Sequence, residues 1–273
     1  MNNDLRTLLV RTTELPPFSL TGQKAIILSA KDDVDINALG QVIASDQAMA
    51  SKLLQLANSA EFAPHRTISK VPDAIIYVGL KEARKVIFLV MAHSAFLGIQ
   101  DQETWFRAVT TAHIAQELAN GHSASVNIYE AFMAGILANV GRTYMMTKKA
   151  AEYKVVMNRV EMGTNLIKAE KDMFGIDHAE VGAMMANRWN LPERIVQAIQ
   201  NHHASGSVPD PLDRVVILAT QLAGSTGKPD PESGPINERL MQSLSVTPES
   251  AQKIIELCRG RVDDFLNTLY HIF

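Results

Sequence analysis

The chain has very little cysteine: one residue, Cys258, in 273. That excludes an internal disulfide and a thiolate metal cluster, and it fits a reducing, cytoplasmic setting. Long apolar runs are also missing. None approaches the roughly 18 residues of a membrane span, and Met1-Asn2-Asn3-Asp4 lacks the basic and apolar regions of a leader. Neither secretion nor membrane contact is expected. No charge of one sign dominates: 26 Lys+Arg against 29 Asp+Glu leave a formal charge of -3. Such a chain has no global field to draw nucleic acid or anionic lipid. Strand-like alternation is absent over any length that would build a sheet. With 47% hydrophobic and 20% charged residues, bulk disorder is excluded too, and the length allows a well-buried core.

What the sequence does contain is helical periodicity. Between residues 36 and 57, Leu39, Val42, Ile43, Leu53, Leu54 and Leu56 recur at three- and four-residue steps, which predicts two short helices joined by a bend. Ser45 is placed to cap the second. Ser69 is placed to cap the next helix, with Pro72 in its first turn and Gly79 as its stop. Further helices are expected over residues 81–96, 105–120, 128–146, 150–160, 165–174, 178–189, 192–201 and 212–223. Turn chemistry marks Glu14-Leu15-Pro16-Pro17 and the runs 205–211 and 227–235, the last being the best linker candidate. Beyond it, 236–244 and 248–273 read as an amphipathic pair, with Thr247 as a cap before Pro248. The expected fold class is all-α.

Several segments together resemble the HDOD domain, a helical signalling relative of the HD superfamily of metal-dependent phosphohydrolases. Leu15-Pro16-Pro17-Phe18 resembles the family's opening segment. Ile43-Ala44-Ser45-Asp46-Gln47-Ala48-Met49, running on to Leu53-Leu54-Gln55-Leu56-Ala57-Asn58-Ser59, resembles its "I-x-x-D-P-x-L-x-x-x-L-L-x-x-A-N-S" helix, with Gln47 in place of the usual proline. Ile68-Ser69 through Ala74-Ile75-Ile76-Tyr77-Val78-Gly79-Leu80 follows the element downstream. The resemblance implies an HD-like helical bundle in two packed lobes, residues 1–100 and 101–226, with a helical extension over 227–273.

The second half resembles the HD core with part of its metal site missing. Ala134-Gly135-Ile136-Leu137-Ala138-Asn139-Val140-Gly141-Arg142 has the frame of the superfamily's A-G-L-L-H-D-I-G-K run, but Ala138 and Asn139 stand where the His-Asp pair would be. His113 falls at the first histidine position, His178 and the pair His202-His203 at the later ones, and Thr220 where relatives read Asp. Both carboxylates are thus replaced. A binuclear hydrolytic site needs anionic oxygen to bridge its cations and fix an activated water. Asn139 supplies only a neutral carbonyl oxygen, and Ala138 supplies no ligand atom.

Each remaining histidine has a plainer role available. His113 on an apolar face can be a hydrogen-bonded core residue. His178 can open a helix with Asp177, and His202 or His203 can shield the carbonyls that end the preceding helix. Adjacent helical residues point about 100° apart, so one of that pair is expected to face a pocket. His113, His178 and that one could hold a single transition metal, since imidazole suits zinc or nickel. Arg142, where the family has lysine, could bind a phosphate or carboxylate. Arg66, Lys70, Lys81, Arg84 and Lys85 are interrupted by Asp73 and Glu82, and so read as a solvated face. The Met145-Met146 and Met184-Met185 pairs read as core filling.

Catalytic residues and a bound cofactor are therefore not expected. The leading expectation is a non-enzymatic signalling module acting on a protein partner or a small ligand, a nucleotide among them, and not on nucleic acid. The alternative is a divergent metal-dependent phosphohydrolase that cuts a nucleotide or phosphodiester. No receiver, GGDEF or EAL pattern stands beside the domain, so its partner is expected to be a separate protein.

Overall fold

The computed structural model describes residues 20–29, 33–96, 102–206, 208–226 and 234–270. Among these every regular element is a helix. The opening Leu15-Pro16-Pro17-Phe18 segment and most of the 227–235 linker candidate lie outside the described residues. The chain divides into two compact units, one within Pro16–Leu97 and the other within Gly98–Asp264.

The smaller unit contains α1 (Leu20–Ser29), α2 (Ile36–Ala44), α3 (Gln47–Ala57), α4 (Val71–Val78) and α5 (Leu80–Phe96). The bend between α2 and α3 falls where the periodicity breaks, but its cap is different from the one expected. Asp46 accepts from the Met49 backbone N–H at 3.1 Å, while the Ser45 hydroxyl donates back to the Val42 carbonyl at 2.7 Å and so belongs to the end of α2. A carboxylate outcompetes a hydroxyl here because the helix N-terminus favours negative charge. Ser69 does not cap α4 either. That helix starts at Val71, after Lys70, and has no side-chain cap. α2 and α4 cross where a Cβ on Gly40 would lie 2.6 Å from Pro72 Cγ, so only glycine fits. Leu39, Ile43, Met49, Leu53 and Ile75 form the buried centre.

The larger unit follows with α6 (Gln102–His122), α7 (Ile128–Leu137), α8 (Val140–Lys148), α9 (Ala150–Glu161), α10 (Leu166–Phe174), α11 (His178–Arg188), α12 (Glu193–Asn201), α13 (Pro211–Gly224), α14 (Glu238–Ser243) and most of α15 (Pro248–Tyr270). α6 packs against α7 and α13, and from Ala131 to Leu137 α7 is apolar on every face because it is buried on every face. The single helix expected over 128–146 is in fact two. Ala138 ends α7 and Asn139 precedes α8, with φ -100 and ψ 13 at Asn139 turning the chain. The apolar period runs through the break, so periodicity alone could not locate it.

Two glycines position the later helices. A Cβ on Gly141 would lie 2.0 Å from the His178 carbonyl oxygen and 2.5 Å from the Gly182 nitrogen. The first turn of α8 therefore rests on the backbone of α11. Gly182 in turn admits the Ile199 side chain of α12, 3.0 Å from where its own Cβ would be. Of the methionine pairs, Met145 and Met185 are buried, whereas Met146 and Met184 are partly exposed. No described helix is long and apolar enough to cross a membrane.

Candidate functional site

Asp177 begins the site by capping α11: its Oδ1 accepts from the Glu180 backbone N–H at 2.9 Å. Burial pushes its carboxyl up, but that bond and the Lys171 ammonium at 2.9 Å together hold it below the ordinary carboxylate range. The cap fixes His178 at the first helical position, fully buried.

His178 is held by a residue that the sequence reading overlooked. Glu170, on α10, is also fully buried, and its Oε2 accepts from the His178 backbone N–H at 3.0 Å and meets His178 Nδ1 at 2.7 Å. Its other oxygen accepts from the Tyr153 hydroxyl at 2.5 Å. Tyr153 is itself buried and stacks on Phe174, with ring centroids 6.3 Å apart. A signal for Glu170 did exist. It falls on the apolar stripe Leu166, Ala169, Phe174 of α10, and a carboxylate there must have a partner.

The carboxylate assigns the tautomer. Nδ1–H of His178 donates to Glu170, so Nε2 carries the lone pair, and it lies 2.9 Å from His203 Nε2. His202 ends α12, and its Nδ1–H donates to the Ile199 carbonyl at 2.6 Å, which again puts the lone pair on Nε2. The expected shielding of α12's carbonyls is thus made by His202. The expectation that one of His202 and His203 would face the site fails. Both do, with ring centroids 5.3 and 4.9 Å from that of His178 and 4.0 Å from each other. The 100° rule stops applying because both residues lie in the turn after α12.

Among the described residues, His178, His202 and His203 are the group whose ligand atoms all lie within 4.8 Å of one another. His113, grouped with them in the sequence reading, is not part of that set. Its ring meets Phe132 of α7 edge to face, centroids 5.4 Å apart. Close passage of α7 over α6 brings this about: a Cβ on Gly135 would be 3.0 Å from Ala112 Cα. Ala138, Asn139 and Thr220 are buried. The Thr220 hydroxyl donates to the Val216 carbonyl of its own helix at 2.8 Å, and Asn139 Oδ1 has no hydrogen-bond partner among the described residues. Arg142 is half-buried in the first turn of α8.

These residues fit one borderline-soft cation held by imidazoles, since two rings already present Nε2 lone pairs and one has the carboxylate behind it that commonly orients a metal-bound histidine. They do not fit a binuclear centre, which would require carboxylates at the positions occupied by Asn139 and Thr220 and a further imidazole at that of Ala138. A second polar cluster lies at the other end of α12. Arg194 there pairs with Asp210 at 3.2 Å and Glu130 at 3.1 Å, while at the histidine end Asn201 donates to Asp213, whose carboxyl burial raises, at 2.7 Å.

A helical bundle with a histidine cluster between α10, α11 and the end of α12 is the architecture of an HD-like domain. The HDOD domain model matches residues 15–205, and the chain belongs to that family. A crystal structure of an HDOD domain protein of unknown function from Geobacter sulfurreducens is 24% identical, with a TM-score of 0.76, over 98% of this chain and 96% of that one. A Marinobacter aquaeolei VT8 structure, provisionally described as a signal transduction protein, is 22% identical with a TM-score of 0.75, over 98% of this chain and 61% of that one. One from Shewanella amazonensis SB2B, provisionally described as a phosphohydrolase, is 22% identical with a TM-score of 0.71, over 94% of both chains. An uncharacterized protein of Treponema pallidum (strain Nichols) is 29% identical over 213 residues. Those are 76% of this chain but 41% of that protein's length.

Proposed function

We propose that this chain is a non-catalytic regulatory module of bacterial signal transduction, an HD-like scaffold that acts by holding a protein partner or a small ligand. The observation that carries the reading is the donor set. Where the HD pattern has its two carboxylates the chain has Asn139 and Thr220, and where it has the neighbouring histidine it has Ala138, all buried. The carboxylate closest to the histidines by bonding, Glu170, has both oxygens engaged by His178 and Tyr153. The provisional signal-transduction description of the Marinobacter structure points the same way.

A second reading has one observation in its favour. The three imidazoles fit a single divalent transition metal, and the Shewanella structure is provisionally described as a phosphohydrolase. One experiment separates the two. Elemental analysis of the purified chain is paired with turnover of a generic phosphodiester and several nucleotides, with Mn²⁺ or Ni²⁺ added. The module reading expects no turnover above that of the added metal alone, for the unsubstituted chain and for His178→Ala alike. Turnover abolished by that substitution, with the variant still folded, would overturn it.

A further inference from the structure

The smaller unit has a cleft of about 1010 Å³ on the side of α4, formed by residues 64–70 and the α4 face carrying Asp73, Ile76 and Tyr77. Its floor is built rather than incidental. Asn58, the residue after α3, accepts from the Ile68 backbone N–H through Oδ1 and donates to the Ile68 carbonyl through Nδ2, both at 2.8 Å. The same Nδ2 also donates to the Leu54 carbonyl of α3 at 2.7 Å. One side chain thus fixes the loop through both backbone groups of Ile68. The Tyr77 hydroxyl fastens the cleft's far side to the Phe62 carbonyl at 3.0 Å.

In extended chain, successive residues turn their backbone groups to opposite sides. Residues 67–70 lack helical or turn structure, and Lys70 has φ -111 and ψ 135. With Ile68 facing Asn58, the N–H and C=O of Thr67 and Ser69 face away from it. Among the described residues neither backbone has a hydrogen-bond partner. An irregular segment of this kind, held on one side through Ile68 and with the backbone groups of Thr67 and Ser69 unpaired, can serve as the edge to which a strand is added. Beside it stand two exposed apolar side chains, Ile76 at 69% and Tyr77 at 45% exposure. The charge around the edge is unbalanced: Arg66 and Lys70 line the cleft against the single carboxylate of Asp73.

We propose that this edge binds an extended acidic segment of a partner protein by strand addition. Backbone groups of Thr67 and Ser69 pair with the segment, an aliphatic side chain of it covers Ile76 and Tyr77, and its carboxylates meet Arg66 and Lys70. This rests on the reading of the chain as a partner-binding module and names the partner's chemistry.

The test uses the full chain and two short fluorescein-labelled peptides, one alternating acidic with aliphatic residues and the other alternating basic with the same aliphatic residues. Fluorescence anisotropy should give saturable binding of the acidic peptide alone, weakened about tenfold by the double substitution Arg66→Glu and Lys70→Glu. Both side chains are exposed, so the melting temperature checks that the fold is kept. On the unsubstituted protein, titration should shift the backbone amide resonances of Thr67 and Ser69. Equal binding of the two peptides would overturn the proposal, as would amide shifts confined to residues outside 64–77. Those results would leave the phosphodiester assay unaffected, so failure of the cleft and failure of the module reading are distinguishable.

Discussion

Replacing Glu170 tests the site's organisation most directly. Its carboxylate accepts from the Tyr153 hydroxyl and from both the backbone N–H and Nδ1–H of His178, and every partner is buried. Glu170→Ala strands all three donors, each costing about 1–3 kcal/mol, while relief of burying a carboxylate returns part of the sum. The net loss is about 3–5 kcal/mol, the usual range for breaking a buried charged network from one side. Glu170→Gln is different. Its amide oxygen can accept from both His178 groups while its NH₂ donates to a rotated Tyr153 hydroxyl, so the loss should be near 1 kcal/mol.

Both tryptophans, Trp105 and Trp189, lie in the larger unit, so their fluorescence during urea denaturation follows that unit alone. With m of about 2 kcal/mol/M, Glu170→Ala should lower the midpoint by about 2 M and Glu170→Gln by about 0.5 M. Equal shifts for the two variants, or a shift below about 0.5 M for alanine, would refute the reasoning.

Three further outcomes are expected. Gly141→Ala places a methyl against the His178 carbonyl, a backbone atom that cannot step aside. It should cost about 3 kcal/mol, a fall of roughly 6–12 °C in Tm by calorimetry. Burial raises Asp213 above its ordinary 3.8, so the folded state holds that proton more tightly and loses stability as pH rises from 3.8 through the raised value. Asp213→Asn should therefore raise Tm at pH 7, with the gain vanishing in melts below that window. If the module's ligand is a nucleotide, a nucleotide screen at 100 times Kd should give about 2.7 kcal/mol of stabilisation that Arg142→Ala removes.

Much of the fold was legible because helical periodicity is a local property. The extents of α3, α4, α9 and α13 follow closely from apolar spacing, with Gly79 as the stop of α4. The break at Ala138 and Asn139 was not legible, because both helices it separates are buried and their apolar residues run on without a gap. The histidines illustrate the same division. Sequence order placed His178, His202 and His203 in the candidate site. Whether they meet depends on Gly141 and Gly182 letting three helices approach, which no spacing rule encodes. Glu170 could have been read from the apolar stripe of α10, but its partner Tyr153 lies on α9 and only packing identifies it.

The departures from the HD pattern and the residues that keep it differ in what they hold together. Ala138 has no polar side chain, the Thr220 hydroxyl bonds only to its own helix, and Asn139 Oδ1 bonds to nothing described. None of these three side chains joins one element to another through the hydrogen bonds described. Two histidines of the cluster, His178 and His203, do, whereas His202 bonds within its own helix. His178 joins α11 to α10 through Glu170, His203 meets His178 across the turn that follows α12, and His202 closes the end of α12. Replacing such a buried polar network with apolar residues demands several changes at once, since removing any one member strands the others. Substitution at 138, 139 or 220 strands nothing comparable. Side chains without metal-binding atoms at those positions are thus compatible with the fold, whereas the Glu170-His178-His203 network fastens helices with or without a metal.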